Sequence, residues 1–315
     1  MKLYPMLLTP FISETVWGGR RLIDEYSVKT DKRNAAEAWV MSAHKSGSST
    51  VANGEFAGRS LREIYLEHPE LGGKSCEGFS DFPVLIKFID AAADLSVQVH
   101  PDDAYCLKKG SGAGKTESWY ILDCEEGAHL LLGFEKEITK EQFRQSITDG
   151  TLTNYVRKIP VKKGDFFFIE SGTLHAICKG ILLAEVQQNS DTTYRIYDYG
   201  RMGLDGKPRE LHVEDAVNVT RTDVYKNPCK PEKSGNVTEL VSCPFFTERV
   251  LDINGELCGR ADESSFVSLL ILEGEGSLES AGETLELKKG SSIFIPANCG
   301  DYKIKGEVKI LETRV

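Results

Sequence analysis

Four residues of this chain combine the types and spacing that could hold a cation. Gln98 and His100 sit two apart in Asp94-Leu95-Ser96-Val97-Gln98-Val99-His100-Pro101. Successive side chains of a strand alternate between its faces, so Leu95, Val97 and Val99 take one side and Ser96, Gln98 and His100 the other. Pro101 has no N–H for a ladder and ends the strand. Glu117 opens a later apolar run, Glu117-Ser118-Trp119-Tyr120-Ile121-Leu122, and His175 closes the turn Glu170-Ser171-Gly172-Thr173-Leu174-His175. Two imidazoles, a carboxylate and an amide oxygen, with no thiolate, suit a catalytic Zn²⁺ that keeps one position for water or substrate. Fe²⁺ or Mn²⁺ would accept the same set, so ligand types alone leave the metal open. Taken singly, each residue is commonplace: a lone His in a β-rich chain is more often structural than a ligand. The combination carries the case. His44, His68, His129 and His212 have no such company and read as structural or surface residues.

A second polar stretch, Glu185-Val186-Gln187-Gln188-Asn189-Ser190-Asp191-Thr192-Thr193-Tyr194-Arg195-Ile196-Tyr197-Asp198-Tyr199-Gly200-Arg201, alternates acid, aromatic and base. The planar donor fork of Arg195 could grip a phosphate or polarise a hydroxyl. The plainer reading is a strand with a solvated polar face and Asp198 paired to Arg201, and spacing alone does not choose.

The elements that must position these residues are mostly short strands. Pro83-Val84-Leu85-Ile86-Lys87-Phe88-Ile89-Asp90 and Glu37-Ala38-Trp39-Val40-Met41 read as strands. Ser60-Leu61-Arg62-Glu63 and Thr139-Lys140-Glu141-Gln142 have the form of capping boxes, predicting helices from Leu61 to about Glu67 and from Lys140 to near Asp149. Pro101-Asp102-Asp103 predicts a helical turn, because negative charge and a missing N–H suit a helix start. Residues 213–219 form a further candidate turn. One segment recurs: Lys162-Lys163-Gly164…His175 is echoed by Lys288-Lys289-Gly290…Asp301, each a basic turn, a glycine, a β-rich run and a second turn. Two copies of one β-unit imply two barrels or sandwiches. The second copy carries Asp301 where the first has His175. The polar Asn227-Pro228-Cys229-Lys230-Pro231-Glu232-Lys233-Ser234-Gly235-Asn236 reads as a linker.

Composition limits the partners. The chain has 315 residues, 40% hydrophobic and 27% charged, with a formal net charge of −10, which argues against nucleic acid or an anionic membrane surface as the main partner. No apolar run approaches a membrane span. The N-terminal stretch, broken by Pro5 and Pro10, does not read as a signal peptide. Eight scattered cysteines without a CxxC pair read as free thiols in a reducing cytoplasm.

Gly164-Asp165…Gly172-x-x-His175 resembles the second signature of the cupin double-stranded β-helix. Gln98-Val-His100-Pro-Asp-Asp, Lys115-Thr-Glu117, Gly172-x-x-His175 and Gln188-Asn-Ser-Asp191-x-x-Tyr-Arg195 together resemble the type I mannose-6-phosphate isomerases, in particular their short, Bacillus-like bacterial form. Trp17-Gly18-Gly19 and Glu37-Ala38-Trp39 fit as well, so the resemblance spans essentially the whole chain. It implies a mainly β protein of two cupin-type (jelly-roll) barrels: a catalytic domain over 1–230 with a short helical insertion near 137–150, and a C-terminal, metal-free cupin-like domain over 237–315. It also implies one Zn²⁺ on Gln98, His100, Glu117 and His175, with Arg195, Lys115 and Asp191 as catalytic residues. The implied reaction interconverts mannose 6-phosphate and fructose 6-phosphate through a cis-enediol. Lys115 is one candidate for the base that takes the C2 proton; Asp191 or a hydroxide at the metal are others. Two other classes remain open from the residues: a metal-dependent cupin oxygenase, which ordinarily uses more His ligands, and a non-catalytic sugar-binding cupin.

Overall fold

The structure, a computed structural model, describes residues 2–26 and 28–315; Met1 and Ser27 lie outside the described residues. It is mainly β, as expected, with the strands gathered into open sheets of six, five and nine strands and one small hairpin. No closed barrel is found among the described residues. Pairing stops at the edge strands, such as Phe11–Ser13 on one side of the six-stranded sheet and Phe166–Ile169 on the other.

The predicted helices form where their caps say they should. Ser60 and Thr139 each close a full capping box, starting Leu61–Glu67 and Lys140–Thr148. Asp102 caps Asp103–Lys109, and Val213–Val219 is helical. The predicted linker is partly ordered: Glu232–Ser234 pairs with Val237–Ser242 across the Gly235-Asn236 turn, because Gly235 takes the positive φ such a turn requires. The internal echo is real in backbone terms. Gly164 and Gly290 have φ of 89° and 88°, each just before a buried four-residue strand, Phe166–Ile169 and Ser292–Ile295.

Two rows of side chains matter for the site. In the six-stranded sheet, directly paired residues run Phe167, Trp119, Glu185, Lys87, Trp39, Phe11. The neighbouring row runs Ile169, Glu117, Gln187, Leu85. In the five-stranded sheet, the corresponding row is Leu132, His175, Gln98, Arg195. Directly paired residues share a face, so each row lines one side of the space between the sheets.

The nine-stranded sheet is built from the C-terminal strands but takes in Met6–Thr9 and Thr50–Val51 from the start of the chain. One hydrophobic cluster joins the halves, with Phe246, Phe266, Phe294 and Leu311 packed with Met6, Phe82, Phe88, Phe168 and Val186. A polar contact crosses the same junction. Glu248, on Thr247–Ala261, is 1% exposed and hydrogen-bonded to Ser118 Oγ. Ser118 Oγ also lies 3.2 Å from the Val186 carbonyl. One hydroxyl proton cannot serve both oxygens. A protonated Glu248 resolves this by donating to Ser118, which then donates to Val186. Burial pushes the Glu248 carboxyl up to about 8, against a smaller downward pull from Ser118.

Because the folded protein holds this proton more tightly than the unfolded chain, the contribution is intact below about pH 4.5, where both states are protonated. It is lost progressively as pH rises towards 8, at roughly 1.4 kcal/mol per unit. Glu248→Gln keeps the shape and the donor without the ionisation. We expect it to unfold at the same urea concentration as the parent at pH 5 and at a clearly higher one at pH 9.

Candidate metal centre

The strand that carries Gln98 is only Val97–Val99, and it ends where predicted, at His100-Pro101. Val97 and Val99 are fully buried in a cluster behind the sheet, with Phe134, Phe143 and Leu174. That packing turns Gln98 and His100 to the opposite side. Gly172 makes the return turn possible. Its N–H donates to the His100 carbonyl at 2.8 Å, its φ is +82°, and a Cβ there would stand 2.9 Å from the Val219 carbonyl. The turn delivers His175 next to Gln98 in the ladder. Glu117 arrives from the other sheet. The backbone just before it is held by Lys115 N–H to the Pro101 carbonyl at 2.9 Å and Thr116 N–H to Gln188 Oε1 at 2.8 Å.

His100, Glu117 and His175 are all buried, and each offers a ligand atom within 4.8 Å of the others. His100 Nε2 and His175 Nε2 are each 3.4 Å from a different Glu117 oxygen. Both rings are fixed from behind. His100 Nδ1–H donates to the Thr192 carbonyl at 3.0 Å, and His175 Nδ1–H to the Thr173 carbonyl at 2.9 Å. A carbonyl can only accept, so in each neutral ring the free lone pair is on Nε2, facing Glu117. Such carbonyl partners are what orients a metal-ligating imidazole. His175 Nε2 and Glu117 Oε1 have no hydrogen-bond partner despite being buried, which ordinary packing does not tolerate. The donor set and its orphaned atoms therefore fit a divalent cation. Gln98, half-buried and directly paired with His175, stands on the same face.

The charges are consistent with that reading. Burial lowers the His100 pKa to about 3, with Lys115 adding to the effect, and burial likewise depresses His175, so both are neutral at neutral pH, as a metal ligand must be. Burial alone would raise Glu117, but the Lys115 ammonium holds it well below the usual carboxylate range. Lys115 Nζ lies 2.6 Å from Glu117 Oε2 and 3.2 Å from His100 Nε2.

Of the other sequence-predicted residues, Arg195 is directly paired with Gln98; its NH1 donates to the Glu210 carbonyl at 3.1 Å and its Nε is buried without a partner. Asp191 is about half exposed, on the loop whose next residue supplies the Thr192 carbonyl to His100. For Asp198 and Arg201 the plainer reading holds: they pair at 2.6 Å, joined by Arg209 Nε at 2.7 Å. Asp301 is exposed and paired with Arg260.

Sequence reasoning missed the buried charges behind the centre. Lys87 Nζ is 3.3 Å from Glu185 and 3.4 Å from Glu37, and lies over the Trp39 ring. Glu185 also accepts from Trp119 Nε1 at 2.9 Å and approaches Lys115 at 3.9 Å. The available signal was a Lys and a Glu in the middle of otherwise apolar strand runs. His44, read as structural, stands beside Asp191. Cavity size would not have located the site: a cavity of about 930 Å³ lies instead on the C-terminal sheet among Glu275, Glu286 and Glu307.

Fold and site define a mainly β protein with a buried His–Glu–His centre between two sheets. A family model described as the phosphomannose isomerase type I catalytic domain matches residues 6–127, and one described as the mannose-6-phosphate isomerase cupin domain matches 236–315. The chain is 39% identical to the mannose-6-phosphate isomerase of Streptococcus mutans, covering 98% of this chain and 97% of that one. It matches the crystal structure of the mannose 6-phosphate isomerase from Bacillus subtilis with a TM-score of 0.90 at 38% identity, over 99% of each chain. A more distant mannose 6-phosphate isomerase, solved with zinc and yttrium bound, has a TM-score of 0.79 at 19% identity, covering 98% of each chain, and shares the fold. The chain belongs to the type I phosphomannose isomerase family.

Lys115 neutralises a buried carboxylate, so its loss leaves that charge unpaired. We expect Lys115→Met to lower the stability of the metal-free protein by about 3–5 kcal/mol in urea denaturation. Adding Glu117→Gln should recover most of it; simple additivity of the two changes would show that the pair is not coupled.

Proposed function

We propose that this protein is a zinc-dependent mannose-6-phosphate isomerase, interconverting mannose 6-phosphate and fructose 6-phosphate through a cis-enediol. The observation that carries the metal site is the convergence of two Nε2 lone pairs on one buried carboxylate, with His175 Nε2 and Glu117 Oε1 left without a hydrogen-bond partner. Gln98, His100, Glu117 and His175 would hold one Zn²⁺. When bound, zinc supplies a Lewis acid that favours negative charge building on the substrate's C1 and C2 oxygens.

The chain's own residues do the rest. Lys115, buried beside Glu117 and His100, is assigned as the base: with a divalent cation in place of its charge beside Glu117, the neutral amine would take the C2 proton and return it at C1 as the ammonium. Asp191 is the alternative. Arg195, on the same row as Gln98 and His175, orients the sugar hydroxyls or phosphate with its guanidinium. Closely facing sheets keep water from the reacting carbons, as the burial of His100, Glu117 and His175 supports. We assign the catalytic role to 1–230 with its insertion at about 137–150, and a metal-free role to 237–315, as two cupin-type units. The free thiols suit a reducing cytoplasm, and no described helix is long and apolar enough to cross a membrane.

Protein stripped of metal should not form fructose 6-phosphate from mannose 6-phosphate in a coupled assay, and reloading with Zn²⁺ should restore turnover. A zinc-loaded protein without turnover would refute the reading. Arg195→Lys should lower kcat by roughly 10²–10³, the usual loss when a transition-state donor is misplaced. Near-full turnover by Lys115→Ala would remove Lys115 as the base.

A further inference from the structure

Asp191 presents a physical problem. Its loop backbone is well held: Asn189 N–H donates to the Pro83 carbonyl, Ser190 Oγ to the Ala113 carbonyl, and the Thr192 carbonyl accepts from His100. Gly112 packs so closely that a Cβ there would stand 2.6 Å from Thr192 Oγ1. The Asp191 carboxylate itself is about half exposed, and an exposed carboxylate on a loop ordinarily samples several rotamers. Any proton transfer by such a group requires a fixed direction.

That direction comes from the far end of the sequence. Ala43–His44 and Gly47–Ser48 form a tight hairpin, with His44 paired to Gly47. From its turn, Ser46 Oγ donates to Asp191 Oδ2 at 2.9 Å. From its strand, His44 Nε2 stands 3.8 Å from Asp191 Oδ1. This is slightly beyond hydrogen-bond length and within ion-pair reach. The His44 tautomer follows from its other side: Nδ1 accepts from the Ser46 backbone N–H at 3.1 Å. A ring nitrogen that accepts carries no proton, so the proton of neutral His44 is on Nε2, facing Asp191. The ring is 5% exposed and packs edge-on to Trp39 at 5.7 Å. One hairpin therefore donates to one oxygen of the carboxylate and aims an N–H at the other from 3.8 Å.

We propose that His44, with Ser46, is a positioning residue for Asp191, holding its carboxylate in the orientation the isomerisation uses. The catalytic part of this inference rests on the isomerase reading above; the physical coupling does not. Histidine at 44 acts through Asp191 and does not itself touch substrate.

The test is a double-mutant cycle on the zinc-loaded enzyme. His44→Phe preserves the ring packing and removes Nε2–H. It should lower kcat by roughly 10–100-fold, the scale of a small misplacement of a reacting group, with KM and bound zinc little changed. His44→Gln, which restores an N–H donor, should recover most of the lost turnover. In an Asp191→Asn background, His44→Phe should cause no further loss. If the two losses multiply, or if Asp191→Asn is fully active, the proposal is overturned while the isomerase reading stands. Should His44→Phe fail to fold, Ser46→Ala carries the same cycle from the hairpin turn.

A readout independent of turnover completes the test. The charged groups around His44 are Asp191, Lys45, Lys87 and Asp81; burial lowers its pKa, and Asp191 opposes that. In an NMR titration of the zinc-loaded protein, Asp191→Asn should shift the His44 midpoint downward. An unmoved midpoint overturns the coupling, whatever sugar the enzyme accepts.

Discussion

The Glu117 carboxylate is the constraint from which the rest follows. A carboxylate removed from water is tolerated only if other groups replace the water. Here the replacement is specific. Lys115 supplies the charge, and two imidazoles bring their lone pairs to face the same anion. Lys115 covers the His100 lone pair and one carboxylate oxygen, but the His175 lone pair faces the other oxygen with no proton between them, an arrangement that makes sense as a receptor for a cation. The carbonyls of Thr192 and Thr173 fix this by holding the Nδ1 protons. The backbone, more than the imidazoles, decides which nitrogen faces inward.

Behind the centre, charges continue inward from Lys115 to Glu185, Lys87 and Glu37, with the indoles of Trp119 and Trp39 as donors. Alternation of sign along this row keeps each buried charge beside its opposite. It also ties the positions of Lys115 and Glu117 to the six-stranded sheet through side chains as well as through the backbone. The reverse face of the Glu117 strand is gripped separately. Ser118 points the other way from its neighbour and meets Glu248 of the C-terminal sheet. The C-terminal half thus fixes the strand that carries the central carboxylate, though its own Asp301 is exposed and engaged with Arg260.

Much of this was legible in the sequence. Period-two alternation put Gln98 and His100 on one face, and burial of Val97 and Val99 confirms it. Capping boxes gave two helix starts to the residue, because a cap is a local contact between residues three apart. The repeated basic-turn glycine segment gave two equivalent backbone turns, because the left-handed conformation is a local requirement at Gly164 and Gly290. Barrel closure was not legible there. Whether sheets close depends on which edges meet, and edge pairing is not written in any single strand.

The sequence by itself determined the types of the candidate site residues, their strands and faces, and the family to which the whole pattern belongs. Only the tertiary structure decided which groups oppose one another. Register across the two sheets placed His175 against Gln98 and Glu185 against Lys87 and Trp119. It also brought a hairpin at residues 43–48 onto an aspartate at 191. Local signals are short-ranged, set by caps, alternation and turns within a few residues. The tautomer of a histidine, the compensation of a buried charge and the aim of an exposed carboxylate depend on partners tens of residues away or more, and chain folding alone brings those together.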